Sequence, residues 1–263
     1  MKKLNKVVAA GLMAGMLMVG PASVQAAEVT VGTDVVSSYL YRGITLNSDA
    51  VVQPSVDIAH PSGLGLNIWA NFDLGDDDGV YEKREFSEVD FDLSYTVDFD
   101  AFSLTVGYIE YLYPSQTDVA EDAEGGLTVT RLAPDREAYV SVGAELVPGL
   151  DLGLTVYQSM ASSDGTYAVL SAGYGLEVID GLTLGLNGSV AYGAKEATGS
   201  ALLGEPKAGW HDYLVGVSAD MDVAEGLSVN AFVNYVGALD SDVLPSELVR
   251  EDVFGGVGVY YTF

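Results

Sequence analysis

The feature that most constrains this chain is a period-two alternation of apolar and polar residues that returns along nearly its whole length. In Leu64–Leu74 every even position is apolar, and most odd positions are polar or glycine. Glu88–Val97 repeats the pattern with Glu88, Asp90 and Asp92 on one side and Val89, Phe91 and Leu93 on the other. Leu182, Leu184, Leu186, Val190 and Tyr192 alternate with Thr183, Gly185, Asn187, Ser189 and Gly193. Successive side chains of a strand point to opposite faces, so each segment carries one greasy and one polar side. Glycine and β-branched residues crowd these runs, which a helix tolerates poorly.

The pattern predicts about twelve strands of roughly ten residues, the length of a tilted membrane-crossing strand. They are expected over 29–41, 50–60, 64–74, 86–97, 102–112, 137–147, 150–160, 167–178, 182–193, 211–222, 227–237 and 252–263. The connections alternate between short turns, such as Pro148-Gly149 and Asp180-Gly181, and longer polar segments, including 75–85, 113–136, 194–210 and 238–251. A soluble β-sandwich would also alternate. It does not require strict alternation of short and long loops, nor a final stripe of Val253, Gly255, Val257, Val259, Tyr261 and Phe263. That terminal aromatic stripe is similar to the last-strand signal that the barrel-assembly machinery reads. In hydrocarbon every backbone N–H and C=O needs an internal partner, and only closure removes sheet edges. The expected fold is therefore all-β: a single up-and-down antiparallel transmembrane β-barrel with short periplasmic turns and longer extracellular loops. Tyr39, Tyr41, Tyr108, Tyr192, Tyr235 and Tyr261 fall near strand ends and are assigned to the headgroup level.

The first residues read as an address. Lys2, Lys3 and Lys6 precede an apolar run, Val7–Val19, too short to span a bilayer, and Val24-Gln25-Ala26 offers the small residues of a cleavage site. Residues 1–26 are thus expected to be a secretion signal and 27–263 the barrel, in the outer membrane of a Gram-negative envelope. Composition excludes several function classes. With 38 acidic against 11 basic residues and a pI near 4.1, the chain lacks the clustered cations that nucleic acid demands. The absence of cysteine removes disulfides, thiolate metal sites and cysteine nucleophiles together. A mean hydropathy of +0.25 in so acidic a chain means that apolar and charged residues are interleaved.

The polar rows are acidic: Asp34, Asp57, Asp73, Glu88, Asp90, Asp92, Glu137, Glu145, Asp151, Glu177, Asp212 and Asp220. So many carboxylates in a dry interior would cost several kcal/mol each, which argues for a wet lumen. A negatively lined aqueous path concentrates cations. The expected pore-lining set is Arg42, Asp57, Trp69, Asp73, Glu88, Asp90, Asp92, Glu137 and Asp212, with Arg42 inward at the top of the first strand. Lys83, Arg84, Arg131, Arg136, Lys195, Lys207 and Arg250 fall in or beside long loops, where outer-membrane lipid and lipopolysaccharide are the expected partners. Asp76, Asp77 and Asp78 are adjacent acids open to a divalent cation such as calcium, although they lack the alternating ligand spacing of a calcium loop.

Catalysis finds little support. His60 and His211 are the two histidines, expected at opposite ends of the barrel, and adjacent His211 and Asp212 should point to opposite faces. A Ser-His-Asp site needs convergence, so no enzyme, metal or cofactor is expected.

Several segments carry a family likeness. Val36–Ile44 (VSSYLYRGI), Gln53–Asp57 (QPSVD), Gly65–Asn71 (GLNIWAN) and Gly107–Pro114 (GYIEYLYP) together resemble the TorF-type family of outer-membrane porin-like proteins, over roughly the first half of the chain. The resemblance implies a pore of about twelve strands and brings no substrate with it. The function expected from these features is passive diffusion of small hydrophilic solutes with a preference for cations. The rival is a non-conducting scaffold or adhesin barrel, its lumen plugged by inward side chains or by loop 113–136.

Overall fold

The computed structural model describes residues 27–75, 84–121, 127–160 and 165–263, with side chains described outside 117–131. The strands run in chain order as β1 Glu28–Val36, β2 Tyr39–Tyr41, β3 Ile44–Asn47, β4 Val51–Ala59, β5 Leu64–Asp73, β6 Phe86–Asp98, β7 Ser103–Leu112 and β8 Thr117–Glu121. They continue as β9 Leu127–Arg131, β10 Asp135–Val147, β11 Leu150–Ser159, β12 Thr166–Ile179, β13 Leu182–Gly193, β14 Gly209–Ala224, β15 Leu227–Ala238 and β16 Val253–Thr262. Twelve of these, β1, β4–β7 and β10–β16, form one closed antiparallel barrel in which each strand pairs with its neighbours along the chain. Closure is made by β1 against β16, from Thr30 opposite Thr262 to Val36 opposite Gly256. Phe263 adds a backbone N–H donated to the carbonyl of Val29.

The register assigns the two faces. Val31, Val35, Leu93, Val106, Leu154, Leu170, Leu186, Val217, Val233 and Val257 stand exposed on the outside. They form the continuous apolar band that a bilayer would cover. Aromatic pairs mark both margins of that band. Tyr192 lies against Trp210 and Tyr213 against Tyr235 at the long-loop end; Phe99 stacks on Phe102 and Tyr261 meets Phe263 at the short-turn end. Among the described residues no helix is long and apolar enough to cross a membrane; a crossing here would be made by strands.

Inside, the residues are small, polar or aromatic, and they interlock. Gly107 on β7 makes room for the ring of Tyr139 on β10, which would lie 2.3 Å from any Cβ placed there. Thr96 and Thr105 share a hydroxyl hydrogen bond at 2.8 Å, as do Ser141 and Thr155.

The first strand departs from expectation. It leaves the wall at Val36 rather than continuing to residue 41, and residues 37–50 fold back as the hairpin β2–β3. The cause is local. Tyr41 opposes Ile44 across the two-residue turn Arg42-Gly43, whose φ angles are 49° and 76°. Positive φ at both central residues is the type I′ geometry whose twist matches a tight hairpin. Gly43 could carry no side chain, since a Cβ there would meet Asp212 Cβ at 2.8 Å and Leu244 at 2.9 Å. The remaining small sheet, β8–β9, pairs only with itself. Residues 1–26, Asp76–Asp78 and Lys83 lie outside the described residues.

Candidate functional site

The hairpin β2–β3 is inserted into the lumen at the long-loop end, and its contacts reach most of the way round the wall. Tyr39 OH donates to Glu88 Oε2 on β6 at 2.6 Å, and its ring lies 5.6 Å from that of Trp69 on β5. Asn47 Nδ2 donates to Asp73 Oδ1 at 2.7 Å. At the tip, Arg42 Nη2 donates to Glu137 Oε2 on β10 at 2.5 Å. The same guanidinium sits 4.3 Å from the ring centroid of Tyr167 and 5.1 Å from that of Tyr157. Arg42 is therefore not on the wall at the top of the first strand. It reaches the acidic row from across the bore, carried by the hairpin.

Tyr39 and Tyr41 are corrected with it. Neither stands at the headgroup level: Tyr39 is buried against Glu88 and Trp69, and Tyr41 OH donates to Tyr111 OH at 3.4 Å inside the barrel. Tyr192, Tyr235 and Tyr261 do face outward and are exposed.

The other candidate residues fall on the inner face by register. Asp57 opposes Asn67, Trp69 opposes Asp90, and Asn71 opposes Glu88, while Asp92 lies two residues further along the same face of β6. Glu137 pairs with Ile109 of β7 and Ser159 of β11. The structure thus brings Trp69, Asp73, Glu88, Asp90, Asp92 and Glu137 to one sector, β5–β10, under the hairpin. Asp57 lies nearer the short-turn end, across Asn67 from Asp92, and Asp212 lies on the opposite wall.

Most of these carboxylates are held by neutral donors. Asp73 Oδ1 accepts from Asn47 and from Asn71 at 2.9 Å, Asp92 from Tyr139 OH at 3.1 Å, and Asp57 from Asn67 at 2.6 Å. Glu137 also accepts from Tyr111 OH at 2.9 Å. Hydrogen bonds from these uncharged donors fix the geometry of the acids that they reach.

Asp212 belongs to a separate cluster. Opposite Ala191 the register slips: Val190 pairs with Tyr213 and Tyr192 with Trp210, so two residues of β14 face one of β13. This bulge turns adjacent His211 and Asp212 to the same side, against the expectation of opposite faces. His211 Nδ1 lies 2.8 Å from Asp212 Oδ1, and Asp212 also accepts from Tyr167 OH. His211 Nε2 accepts the backbone N–H of Gly199 at 2.9 Å, which fixes the tautomer with the proton on Nδ1. Both ring nitrogens are thus committed, Nε2 to the 194–208 loop and Nδ1 to Asp212, and neither faces a hydroxyl as a general base would. Thr45 completes the cap: its hydroxyl oxygen accepts from the backbone N–H of both Arg250 and Glu251 at 3.0 Å.

The alternation shows no sign of the hairpin, because residues 38–41 continue the pattern of the strand before them. The residues that reading missed are Tyr39, Asn47, Asn71 and Tyr167, the donors that orient the acids. Their side-chain types suited a girdle or a rim equally well.

Comparison with solved structures gives the same architecture. The chain is similar to a structure described as "KdgM porin in complex with disordered oligogalacturonate", with a TM-score of 0.54, 12% identity, and 90% of this chain and 99% of that chain covered. It is also similar to the NanC porin, with a TM-score of 0.51, 9% identity and the same coverage. At such identities the likeness speaks for the fold. No curated protein matches the sequence. A family model does match, over residues 20–248, and it does not carry the TorF-type name that the motifs suggested. The chain belongs to Gcw_chp, a family described as bacterial protein of unknown function.

Proposed function

We propose that this protein is an outer-membrane channel for passive diffusion of small hydrophilic solutes, with a preference for cations. The observation that carries the reading is a closed twelve-strand barrel, apolar outside, whose interior face presents Asp57, Asp73, Glu88, Asp90, Asp92 and Glu137. A bore lined by one sign of charge concentrates the opposite ion and lowers its barrier to entry. Arg42, Trp69 and Asp212 complete the lining. In this reading residues 1–26 direct export, the short turns face the periplasm, and the inserted hairpin narrows the external mouth. The oligogalacturonate of the KdgM complex is a polyanion. An acidic lumen repels such cargo, so we assign this chain solutes that are neutral or positive. Lipopolysaccharide would surround the long-loop end. The chemistry of the lumen is that of passage, with no reaction and no cofactor.

A second reading, a non-conducting scaffold barrel, draws on the packing of the long-loop end. Val51, Asn47, His211 and Leu244 are fully buried there, and hairpin 37–50 fills part of the lumen; the loop 113–136 expected to plug it lies partly outside the described residues. Planar-bilayer recording of the wild type and of a variant with residues 38–49 replaced by a short Gly-Ser linker separates the two. The channel reading expects discrete conductance steps from both, larger in the variant. A silent wild type beside a conducting variant would favour the scaffold.

A further inference from the structure

Six acids occupy the part of the lumen reached by the hairpin: Asp73, Glu88, Asp90, Asp92, Glu137 and Asp212. Five of them accept at least one hydrogen bond from a described donor. Asp90 is the exception. It is 3% exposed, and no donor among the described residues reaches either of its carboxylate oxygens. Its cross-strand neighbours are Trp69 and Tyr111, and its neighbour along the inner face is a second carboxylate, Glu88, 4% exposed. On the adjoining strand Asp73 Oδ2 is likewise buried and without a donor. The guanidinium that reaches this region, Arg42, is committed to Glu137 and to the faces of Tyr157 and Tyr167. A buried carboxylate with no donor, beside a second carboxylate, is costly without a cation.

We propose that Glu88 and Asp90 form a binding site for a hard divalent metal cation, of which calcium is the representative, beneath the inserted hairpin. The ligand chemistry is all oxygen, with no imidazole or thiolate at the site, which selects ions of the calcium and magnesium class. Calcium tolerates irregular geometry and retained water, whereas magnesium demands a near-ideal octahedron. Among the described residues no three carboxylate or imidazole groups converge into a full cage. Binding is accordingly weak, of the millimolar class that suffices for extracellular modules, and the ion keeps part of its water. A weak site in a conduction path is also one that an ion can leave. Because Tyr39 of the hairpin donates to Glu88, a cation here ties the hairpin to the acidic wall through a shared ligand.

The site rests on the channel reading only in treating the lumen as reachable by water and ions. The test uses the full barrel in detergent, stripped with EDTA, in a Trp210→Phe background that leaves Trp69 as the reporter beside Tyr39. Equilibrium dialysis with radiolabelled calcium should give one ion per barrel with half-saturation near ~1 mM, accompanied by a saturable change in Trp69 emission. Asp90→Asn should weaken binding at least tenfold, and Asp220→Asn, on the far wall near the short turns, should leave it unchanged. If Asp90→Asn does not give a heat-modifiable barrel, Glu88→Gln takes its place. Absence of stoichiometric binding to the folded wild type overturns the site, as does binding that survives both substitutions. Potassium conductance recorded in EDTA tests the channel separately: conduction without calcium binding sinks the site alone, and calcium binding without conduction sinks the channel alone.

Discussion

The two ends of this lumen are built from the same kinds of residue and behave differently. At the long-loop end, Asp73, Glu88 and Glu137 are buried and joined to a segment that is not part of the wall. At the short-turn end, Asp57 and Asp220 are only half-buried and each accepts from a neighbour on the adjoining strand: Asn67 at 2.6 Å and Asn230 at 2.6 Å. The difference is the hairpin. One end is a wall with a lodger that bonds to its acids; at the other the acids bond to residues of the wall itself. An acid at the first end should therefore control the hairpin, and an acid at the second only the local field.

Four substitutions sharpen or break that contrast. The largest effect is expected for Glu137→Ala, which leaves the Arg42 guanidinium without its carboxylate in a partly buried setting. Removing one member of such a pair costs about 3 kcal/mol, roughly a hundredfold in the docking of the hairpin. Limited proteolysis of the 37–50 segment and the open fraction in bilayers both report it. Arg42→Ala follows, since it also removes the stack on Tyr157 and Tyr167. Its double variant with Glu137→Ala should cost less than the sum of the two, because the pair acts as a unit. Additive losses would place the two residues in separate roles. Both variants should keep the heat-modifiable mobility of a closed barrel.

Tyr39→Phe comes next. It deletes one hydrogen bond to a carboxylate, worth about 1.5 kcal/mol, and should raise hairpin protease sensitivity about tenfold. Asp57→Asn is expected to do least: hairpin protection should match the wild type within about 0.5 kcal/mol, with only a small drop in cation preference. A protease phenotype in Asp57→Asn as large as that of Glu137→Ala would abolish the distinction between the two ends.

Much of this architecture was legible because a strand's period is two, and a single-residue slip would turn every lumen acid into lipid. Leu182–Gly193 coincides with its expected span, and β5, β6 and β15 lie within one residue of theirs. The acidic row on Glu88, Asp90 and Asp92 follows from the same rule. The hairpin was not legible, because Ser38-Tyr39-Leu40-Tyr41 continues the alternation of the strand before it. Only the backbone sign at Arg42 and Gly43 turns the chain inward, and arginine is not a residue that announces a positive φ. The His211–Asp212 pair escaped for a related reason. A bulge adds one residue to a strand without changing its composition, so parity alone puts the pair on opposite faces.

The central claim is that the acidic lumen conducts and that its charge selects. The direct measurement is the reversal potential of the purified wild-type protein in a planar bilayer under a tenfold potassium chloride gradient at neutral pH. The account predicts discrete channels whose reversal potential lies toward the potassium equilibrium potential, moving toward zero when Glu88, Asp90 and Asp92 are replaced together by Gln, Asn and Asn. A reversal potential on the chloride side, or no conductance above the bare bilayer from the wild type, would contradict it.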